Sequence, residues 1–410
     1  MPAKKRFIPR NYRWFNKLLR WSYVIWLRAF YRIEVVGREI AKGMKPPFVV
    51  VANHVSILDP FMLGGHLTEP VYWITSDGNM RTRLMKALLR LVGSIPKSKV
   101  IPDIETIGWT VDVIRKRGGV VGIFAEGQAT WDGTTLPLIP STAKLLKLLK
   151  VPVLGAVIKG GYLSLPRWTW ARRRGKVEIE WKRLFEPGEL KALGADQILE
   201  RLEAGLAHDE AEWEAGEKAR FSSLRRAEHL ELALYRCPSC EAIGSMRSHR
   251  HRFYCLSCGM ALVLDSRGRL KGARRGQAPY EAIKDWNRWQ EASMRGFAAD
   301  AARDRPGRPL FSDAGALLLR GYRLNPLRKL RTGTLILFPD RLELATILGE
   351  RLTFPLDQVE GINVLKRALL EFYVGRELYQ VRFPFRHISA RKWMDAVVAL
   401  QALRPGEARP

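Results

Sequence analysis

The chain has 410 residues, more than one ordinary hydrophobic core holds, so two or three domains are expected. A hydrophobic content of 47% with 27% charged residues excludes a globally disordered protein. The formal net charge of +28 indicates a polyanionic partner, either nucleic acid or an anionic membrane surface. Thirteen Trp residues favour the membrane, because their rings sit well at the level of lipid headgroups.

Residues 1–40 interleave Lys and Arg with Trp, Phe and Leu, which is typical of helices that lie in the plane of the membrane interface. A helix packed on the protein's own core is the alternative. The apolar run 21–27 is closed by Arg20 and Arg28, whereas a membrane span needs about 20 apolar residues. The run is also short for a signal-peptide core. We therefore expect a peripheral, monotopic protein on the cytoplasmic face of a membrane.

Short apolar runs alternate with helical stretches across residues 41–226. The predicted strands are 47–51, 71–74, 120–124, 151–157 and 177–181, and the predicted helices are 82–91, 104–116 and 141–150. Alternation of this kind indicates an α/β domain with a largely buried sheet. A charged helical stretch, 192–226, leads out of this domain.

The end of the chain predicts a linker with a helix over 266–308 and a small β-rich domain over 309–405. The predicted strands are 314–323, 333–344, 352–364 and 369–383, closed by a helix over 389–403. The strand series with its closing helix resembles pleckstrin-homology or GRAM-type modules. That resemblance leaves phosphoinositide binding, protein binding and a plain folding scaffold open.

The stretch 49–60 is the most informative part of the sequence. An apolar run delivers His54 at its end, and Asp59 follows five positions later. Residues five apart on one helix are not neighbours, so the two side chains meet only if His54 lies in a turn and Asp59 begins the next helix. The carboxylate would then fix the tautomer of the imidazole and leave its other nitrogen free as a base. A structural His–Asp pair is the alternative.

Four ordered motifs resemble those of the glycerolipid acyltransferase family, which includes the lysophosphatidic acid acyltransferases. Residues 53–59 match the N-H-x-x-x-x-D signature, and 93–99, 123–128 and 151–153 resemble the three motifs that follow. The resemblance covers roughly residues 15–185. It implies an O-acyltransferase with catalytic His54 and Asp59, and substrate contacts from Asn53, Lys97, Lys99, Glu126, Gly127 and Pro152.

The expected reaction moves a fatty acyl group from acyl-CoA or an acyl carrier protein thioester to the hydroxyl of a lysoglycerophospholipid, foremost 1-acylglycerol-3-phosphate. The sequence has no G-x-S-x-G nucleophile elbow, so direct transfer with His54 as general base is expected. Ala125, Gln128 and the Lys residues at 97 and 99 depart from the family's usual residues and leave the acceptor open. A capping carboxylate is the alternative for Glu126, and a solvated loop is the alternative for the two Lys.

Four cysteines form two C-x-x-C pairs, Cys237 with Cys240 and Cys255 with Cys258, with fourteen residues between the pairs. Four thiolates at this spacing predict a structural Zn²⁺ in a zinc ribbon over 230–265. The rival function is a basic zinc-ribbon protein that binds nucleic acid, and the Arg residues at 247, 250 and 252 beside the ribbon support it. The Trp-rich start of the chain makes nucleic acid the less favoured partner.

Overall fold

The computed structural model describes residues 11–98, 104–273 and 278–404. The chain divides into two compact units. The first runs to Arg167 and resumes over Arg172–Ser222. The second comprises Trp168–Ala171 and continues from Ser223.

A seven-stranded sheet forms the centre of the first unit. Its strands are β1 (Arg32–Val36), β2 (Phe48–Ala52), β3 (Val71–Ser76), β4 (Ile95–Lys97), β5 (Val120–Phe124), β6 (Val153–Lys159) and β7 (Lys176–Phe185). Their order is β1-β7-β6-β2-β5-β3-β4, and only the β6–β7 pair is antiparallel. Every residue of β2 is buried, as a continuous apolar run in a parallel sheet predicts.

Ten helices surround this sheet within the described residues. They are α1 (Arg13–Phe30), α2 (Arg38–Gly43), α3 (Asp59–Gly64), α4 (Arg83–Leu91), α5 (Ile104–Val111), α6 (Ser141–Leu149), α7 (Gly161–Ser164), α8 (Pro187–Ala192), α9 (Ala195–Leu206) and α10 (Glu210–Glu217). Successive residues of β2 point to opposite faces, so Val50 and Ala52 join one hydrophobic core while Val49 and Val51 join another. None of the described helices is both long and apolar enough to cross a bilayer.

The α/β architecture of the first unit is confirmed, with corrections at its two ends. Residues 1–40 are not helical throughout, because Arg32–Val36 form the edge strand β1 of the sheet. The predicted helical stretch 192–226 contains only α9 and α10 as regular helices, and α10 ends at Glu217. The unit itself ends at Ser222, four residues before the predicted boundary.

A four-stranded antiparallel sheet begins the second unit. It consists of β8 (Met246–His249), β9 (Arg252–Cys255), β10 (Ala261–Leu264) and β11 (Leu270–Gly272), in the order β11-β10-β9-β8. Within the predicted linker and helix over 266–308, the structure contains the strand β11 and then the long helix α11 (Ile283–Asp304). Helix α11 matches the predicted helix and buries Trp286 completely.

The remainder of the second unit is β-rich, as predicted. Its strands are β12 (Phe311–Gly321), β13 (Arg328–Leu337), β14 (Arg341–Thr346), β15 (Arg351–Pro355), β16 (Val359–Leu365), β17 (Leu369–Val374) and β18 (Glu377–Arg382), followed by α12 (Ala390–Ala402). They form one antiparallel sheet in the order β15-β14-β13-β12-β18-β17-β16. Three of the four predicted strands therefore each span two observed strands: 333–344, 352–364 and 369–383. The resemblance to pleckstrin-homology or GRAM modules stays a prediction.

Candidate active site and metal centre

His54 and Asp59 meet at the carboxyl end of β2, as their spacing predicts. His54 lies in the turn after the strand, and Asp59 is the first residue of α3. The His54 Nδ1 lies 2.7 Å from Asp59 Oδ2. The Asp59 side chain is completely buried, whereas the His54 side chain is 21% exposed. A buried carboxylate thus holds an imidazole that substrate can reach.

The same carboxylate oxygen also fixes the turn that carries His54. Asp59 Oδ2 accepts hydrogen bonds from the backbone N–H groups of Val55 at 2.7 Å and Ser56 at 2.9 Å. The Nδ1–H tautomer of His54 can donate to this oxygen as the two backbone N–H groups do. In that tautomer the lone pair of the imidazole is on Nε2, the nitrogen that a general base needs.

An aromatic ring packs against one face of the His54 imidazole. The Phe124 ring stacks on His54 with 4.3 Å between ring centres and an angle of 22°. Trp73 stacks on Phe124 at 4.9 Å. Phe124 is the last residue of β5, the strand that pairs with β2 in parallel. Adjacent parallel strands thus place the ring and the imidazole at one edge of the sheet.

Glu126 bridges two backbone segments rather than facing an open pocket. Its Oε1 accepts from the His54 N–H at 2.6 Å, and its Oε2 accepts from the Leu136 N–H at 2.8 Å. Burial is the largest influence on this carboxyl and raises its pKa to about 8, against the two N–H donors that lower it. Both oxygens thus accept backbone N–H groups, as the capping alternative requires, and the contact of Glu126 with the acceptor stays a prediction.

Gly127 makes the sharp turn after Glu126. Its φ is +70°, and a Cβ at this position would lie 2.5 Å from Ile139 Cδ1. Both the conformation and the space therefore require glycine. Gly127 is exposed beside the His54 turn, so its predicted place at the substrate is compatible with the structure.

Arg167 is a residue that the sequence analysis missed. One of its terminal nitrogens donates to Gln128 Oε1 at 3.1 Å and to the Ala129 carbonyl at 2.8 Å. The guanidinium lies over the Trp131 ring, 4.2 Å from its centre. The next N–H along the loop, that of Thr130, donates to the His54 carbonyl at 2.9 Å. In the sequence, the one sign of such a role is that an arginine interrupts an apolar run.

Two residues of the predicted substrate set make contacts between strands. Asn53 is buried, and its side-chain amide pairs with both the N–H and the carbonyl of Ile158 on β6. Pro152 precedes β6, where its carbonyl accepts from the Val49 N–H. That contact is at the amino end of β2, whereas His54 follows the carboxyl end. Asn53 and Pro152 thus join neighbouring strands, and their contacts with substrate stay predictions.

Of the two lysines predicted to contact substrate, the structure describes Lys97. Lys97 ends β4 and pairs with Ser76 of β3, at the same edge of the sheet as His54. Strands β5 and β3 lie between β2 and β4, so Lys97 is three strands away from β2, the strand that His54 follows. Lys99 lies outside the described residues.

The four cysteines of the second unit converge as a metal site requires. All four sulfur atoms lie within 4.8 Å of one another, and the Cys237–Cys258 and Cys240–Cys255 sulfur distances are both 3.7 Å. A tetrahedral zinc with sulfur ligands at about 2.3 Å has ligand-to-ligand edges of about 3.8 Å. The donor set and its spacing therefore fit Zn²⁺.

Part of the first unit matches a known family model. Residues 32–159, which include His54 and Asp59, match the family model described as acyltransferase. The chain contains an acyltransferase domain. The 1-acyl-sn-glycerol-3-phosphate acyltransferase of Saccharomyces cerevisiae is 25% identical to it over 171 residues. These are 40% of this chain and 54% of the yeast protein, so the chain spans about half of that relative's length.

A solved structure resembles part of the chain as well. The crystal structure of the 1-acyl-sn-glycerophosphate (LPA) acyltransferase PlsC from Thermotoga maritima is 21% identical, with a TM-score of 0.40. The match covers 46% of this chain and 74% of that structure. This likeness carries no argument about function. The family model over residues 32–159 confirms the predicted acyltransferase for the matched domain.

Proposed function

We propose that the protein transfers a fatty acyl group from a thioester, carried by coenzyme A or acyl carrier protein, to the free hydroxyl of a lysoglycerophospholipid. The acceptor with the best support is 1-acylglycerol-3-phosphate, the molecule that the name of the yeast relative contains. The observation that carries the proposal is the 2.7 Å contact between His54 Nδ1 and Asp59 Oδ2 within the matched domain.

The reaction proceeds by direct attack in one addition and one elimination. His54 Nε2 takes the proton of the acceptor hydroxyl as its oxygen bonds to the thioester carbonyl carbon. Asp59 stabilises the imidazolium that forms. The tetrahedral intermediate then collapses, the C–S bond breaks, and the imidazolium returns its proton to the departing thiolate. An ester and a free thiol result, so atoms and protons balance.

Backbone donors beside His54 are assigned to the oxyanion of the intermediate. Within the described ranges, the N–H groups of Gln128 and Ala129 take part in no hydrogen bond. They belong to the loop whose next residue, Thr130, is bonded to the His54 carbonyl. Donors fixed in place before the reaction stabilise developing charge without reorganising.

The outer face of α1 supports attachment to a membrane. Trp14, Leu18, Trp21 and Ile25 recur at spacings of four, three and four residues and are 54–70% exposed. The opposite face packs on the protein, since Leu27 is buried and Tyr23, Trp26 and Phe30 contact the core. The alternative of packing on the core thus holds for one face of the helix, and we propose membrane contact for the other. An apolar stripe of this kind, flanked by cations, is the pattern of an interfacial helix.

The core-facing side of α1 packs beside the helix that carries Asp59. The Tyr23 ring on α1 contacts Phe61 of α3, two residues beyond Asp59, with 4.6 Å between ring centres and an angle of 41°. Ile57, between His54 and Asp59 in sequence, is 60% exposed. An acceptor that stays in the lipid surface could thus present its hydroxyl to His54 while its acyl chain remains with the membrane. We propose a peripheral location on the cytoplasmic face.

A second helix of the first unit has the same character. Helix α4 has no buried residue, and its Leu84, Met85 and Leu88 are 38–70% exposed. It carries basic and no acidic residues. The backbone joins it to the start of α1, because the Tyr12 N–H donates to the Leu91 carbonyl. We include α4 in the proposed membrane surface.

The cysteine cluster is proposed to hold one Zn²⁺ with a structural role. Four thiolates close the tetrahedron and leave no open position for a substrate. The ribbon therefore supplies no step of acyl transfer. Its part is to fix the fold of the second unit.

The decisive experiment follows the free thiol released from acyl-CoA in the presence of lysophosphatidate. His54→Ala should lower turnover by at least about 10²-fold, because that is the usual contribution of a general base. Asp59→Asn should also be severe, since the amide favours the wrong tautomer of His54. His249→Ala, an imidazole of the ribbon strand β8, is the matched control and should keep full activity. Wild-type rates in the His54 variant would reduce the pair to a structural role.

A further inference from the structure

Two arginine side chains surround an exposed tryptophan in the second unit. Trp170 is 45% exposed, and the guanidinium carbons of Arg367 and Arg386 lie 5.0 Å and 5.7 Å from the centre of its ring. The His229 ring meets the same indole edge-on at 4.6 Å. Arg367 is further fixed by a 2.6 Å hydrogen bond from its Nε to the Thr169 carbonyl.

Neither guanidinium has an acidic partner within the part of the chain that the structure describes. Glu231 contacts the neighbouring imidazole and not the arginines: its Oε1 lies 3.7 Å from His229 Nδ1. Arg367 is half-buried, and burial lowers its pKa. A partly desolvated cation without a counter-charge is stabilised by any anion that binds beside it.

An exposed apolar residue adjoins the cations. Phe385 precedes Arg386 and is 61% exposed. Arg367 lies in the turn that joins β16 to β17, and Phe385 and Arg386 lie in the segment between β18 and α12. We call Trp170, Arg367, Phe385 and Arg386 the arginine–tryptophan patch. Its combination of unpaired cations and exposed rings is that of a surface at the lipid headgroup level.

We propose that the arginine–tryptophan patch is a second membrane contact, at which the two arginines bind phosphate groups of anionic lipids and the two aromatic rings enter the interface. The inference rests on the proposed function only in that both need a lipid surface. It assigns the second unit a task that the catalytic pair does not perform. Arginine suits this task, because its planar fork donates two hydrogen bonds to one phosphate.

Single-stranded nucleic acid is the other polyanion that basic and aromatic residues bind. Its bases gain affinity by stacking on open aromatic faces. Guanidinium groups already lie over the Trp170 ring, and Phe385 stacks on His387 with 5.5 Å between centres. The geometry therefore favours the phosphate groups of a bilayer over base stacking.

The test compares two double variants of the full chain on vesicles of phosphatidylcholine with phosphatidylglycerol. Each arginine near an anionic surface contributes about a five-fold gain in binding, so R367Q/R386Q should bind about thirty-fold more weakly. R328Q/R376Q removes the same charge from exposed positions at the start of β13 and at the opposite end of β17. It should change binding less than about two-fold if the patch is specific.

Hydrogen exchange locates the contact. Vesicles should protect residues 366–368 and 383–386 in the wild type and not in R367Q/R386Q. Equal losses in the two double variants, or absent protection, would overturn the patch. Two further results would overturn it. One is that inorganic phosphate at constant ionic strength displaces the protein from vesicles; the other is that the protein binds a single-stranded RNA and only R367Q/R386Q loses this binding.

Thiol release with detergent-dispersed acceptor separates this inference from the proposed activity. R367Q/R386Q should turn over at the wild-type rate there, because the patch contacts the bilayer and not the reacting groups. If the wild type itself shows no turnover, the proposed activity fails while vesicle binding still decides on the patch.

Discussion

Arg167 and His54 are joined through a single peptide unit. The carbonyl of Ala129 accepts a hydrogen bond from Arg167, and the N–H of the same peptide, on Thr130, donates to the His54 carbonyl. Hydrogen bonds on the two ends of one amide polarise each other and strengthen the chain. A buried cation therefore fixes the backbone of the proposed general base, His54, although it lies 113 residues away in sequence.

Arg167→Met should lower turnover by about ten-fold to a hundred-fold, because small misplacements of a catalytic group are costly. The KM for the thioester should change little, since the side chain acts on His54 and its loop. Arg167→Lys keeps the charge and should recover part of the rate. Steady-state thiol release measures both.

The matched control is Arg173→Met. Arg173 is also a buried arginine of the first unit, but its bond is to the Leu163 carbonyl. Loss of stability without loss of turnover is expected there. Equal turnover in Arg167→Met and the wild type would remove Arg167 from the positioning of His54.

The contrast between Asp59 and Arg167 shows what the sequence could predict. Asp59 is five residues from His54, so one turn decides whether they meet, and the motif revealed the pair. Arg167 reaches its loop across the fold, and no local pattern encodes such a contact. The partners of Asn53 and Pro152, Ile158 and Val49, likewise lie on neighbouring strands, so the local sequence does not reveal these contacts.

Turns caused the main error in the β-rich region. The predicted strand 369–383 is divided by Gly375, whose φ of +58° reverses the chain between β17 and β18. The apolar pattern continues on both sides of the turn, so periodicity alone does not reveal the break. Strand 333–344 was divided in the same way, by the turn 338–340. Glycine and proline–aspartate signals at these positions were the available clues.

Glu126 should make the stability of the protein depend on pH. Burial raises its pKa to about 8 from an ordinary value of 4.5, so between these pH values the folded protein binds more protons at this group than the unfolded chain. The free energy of unfolding therefore falls as the pH rises through that window. Glu126→Gln cannot ionise, so the wild type should lose stability relative to this variant between pH 5 and pH 8.

Urea unfolding at several pH values measures this difference. Glu189→Gln is the control, because its exposed carboxylate bonds to Arg201 and has a lowered pKa. Its difference from the wild type should be constant above pH 5. Parallel curves for the wild type and Glu126→Gln would contradict the raised pKa.

Removal of zinc should destabilise more than the ribbon. The residues just before Cys237 are bonded to the helices of the second unit: the backbone N–H groups of Tyr235 and Arg236 donate to Gln290 on α11, and the Tyr235 hydroxyl contacts Asp395 on α12. Chelation or Cys237→Ser should therefore increase hydrogen exchange in α11 and α12 as well as in β8–β11. The first unit has its own core and should keep its protection.

Elemental analysis should give close to one zinc per chain in the wild type and a reduced content in Cys237→Ser. Ser239→Ala, between the first two ligands, should leave the metal in place. Protein free of zinc after purification without chelators would overturn the metal site. If hydrogen exchange increases only in the ribbon, the zinc stabilises the ribbon and not α11 and α12.

The apolar stripe of α1 should carry a large part of the binding to membranes. Removing the entire N-terminal segment would also take away Leu27 from the core, so two point changes are the sharper test. Leu18→Ser with Ile25→Ser alters side chains that are both 54% exposed. Burying one such side chain contributes about 1.5–3 kcal/mol, so the pair should weaken vesicle binding at least about ten-fold.

Val398→Ser with Leu403→Ser is the matched control, since these side chains are 51% and 46% exposed near the end of α12. It should bind vesicles as the wild type does. High salt should weaken the wild type only in part, because it screens Lys17 and Arg20 but not the inserted apolar residues. If both double variants sediment with vesicles equally well, the stripe on α1 does not face the lipid. The 4.6 Å contact between Tyr23 and Phe61 would then brace α3 without bringing His54 to a membrane.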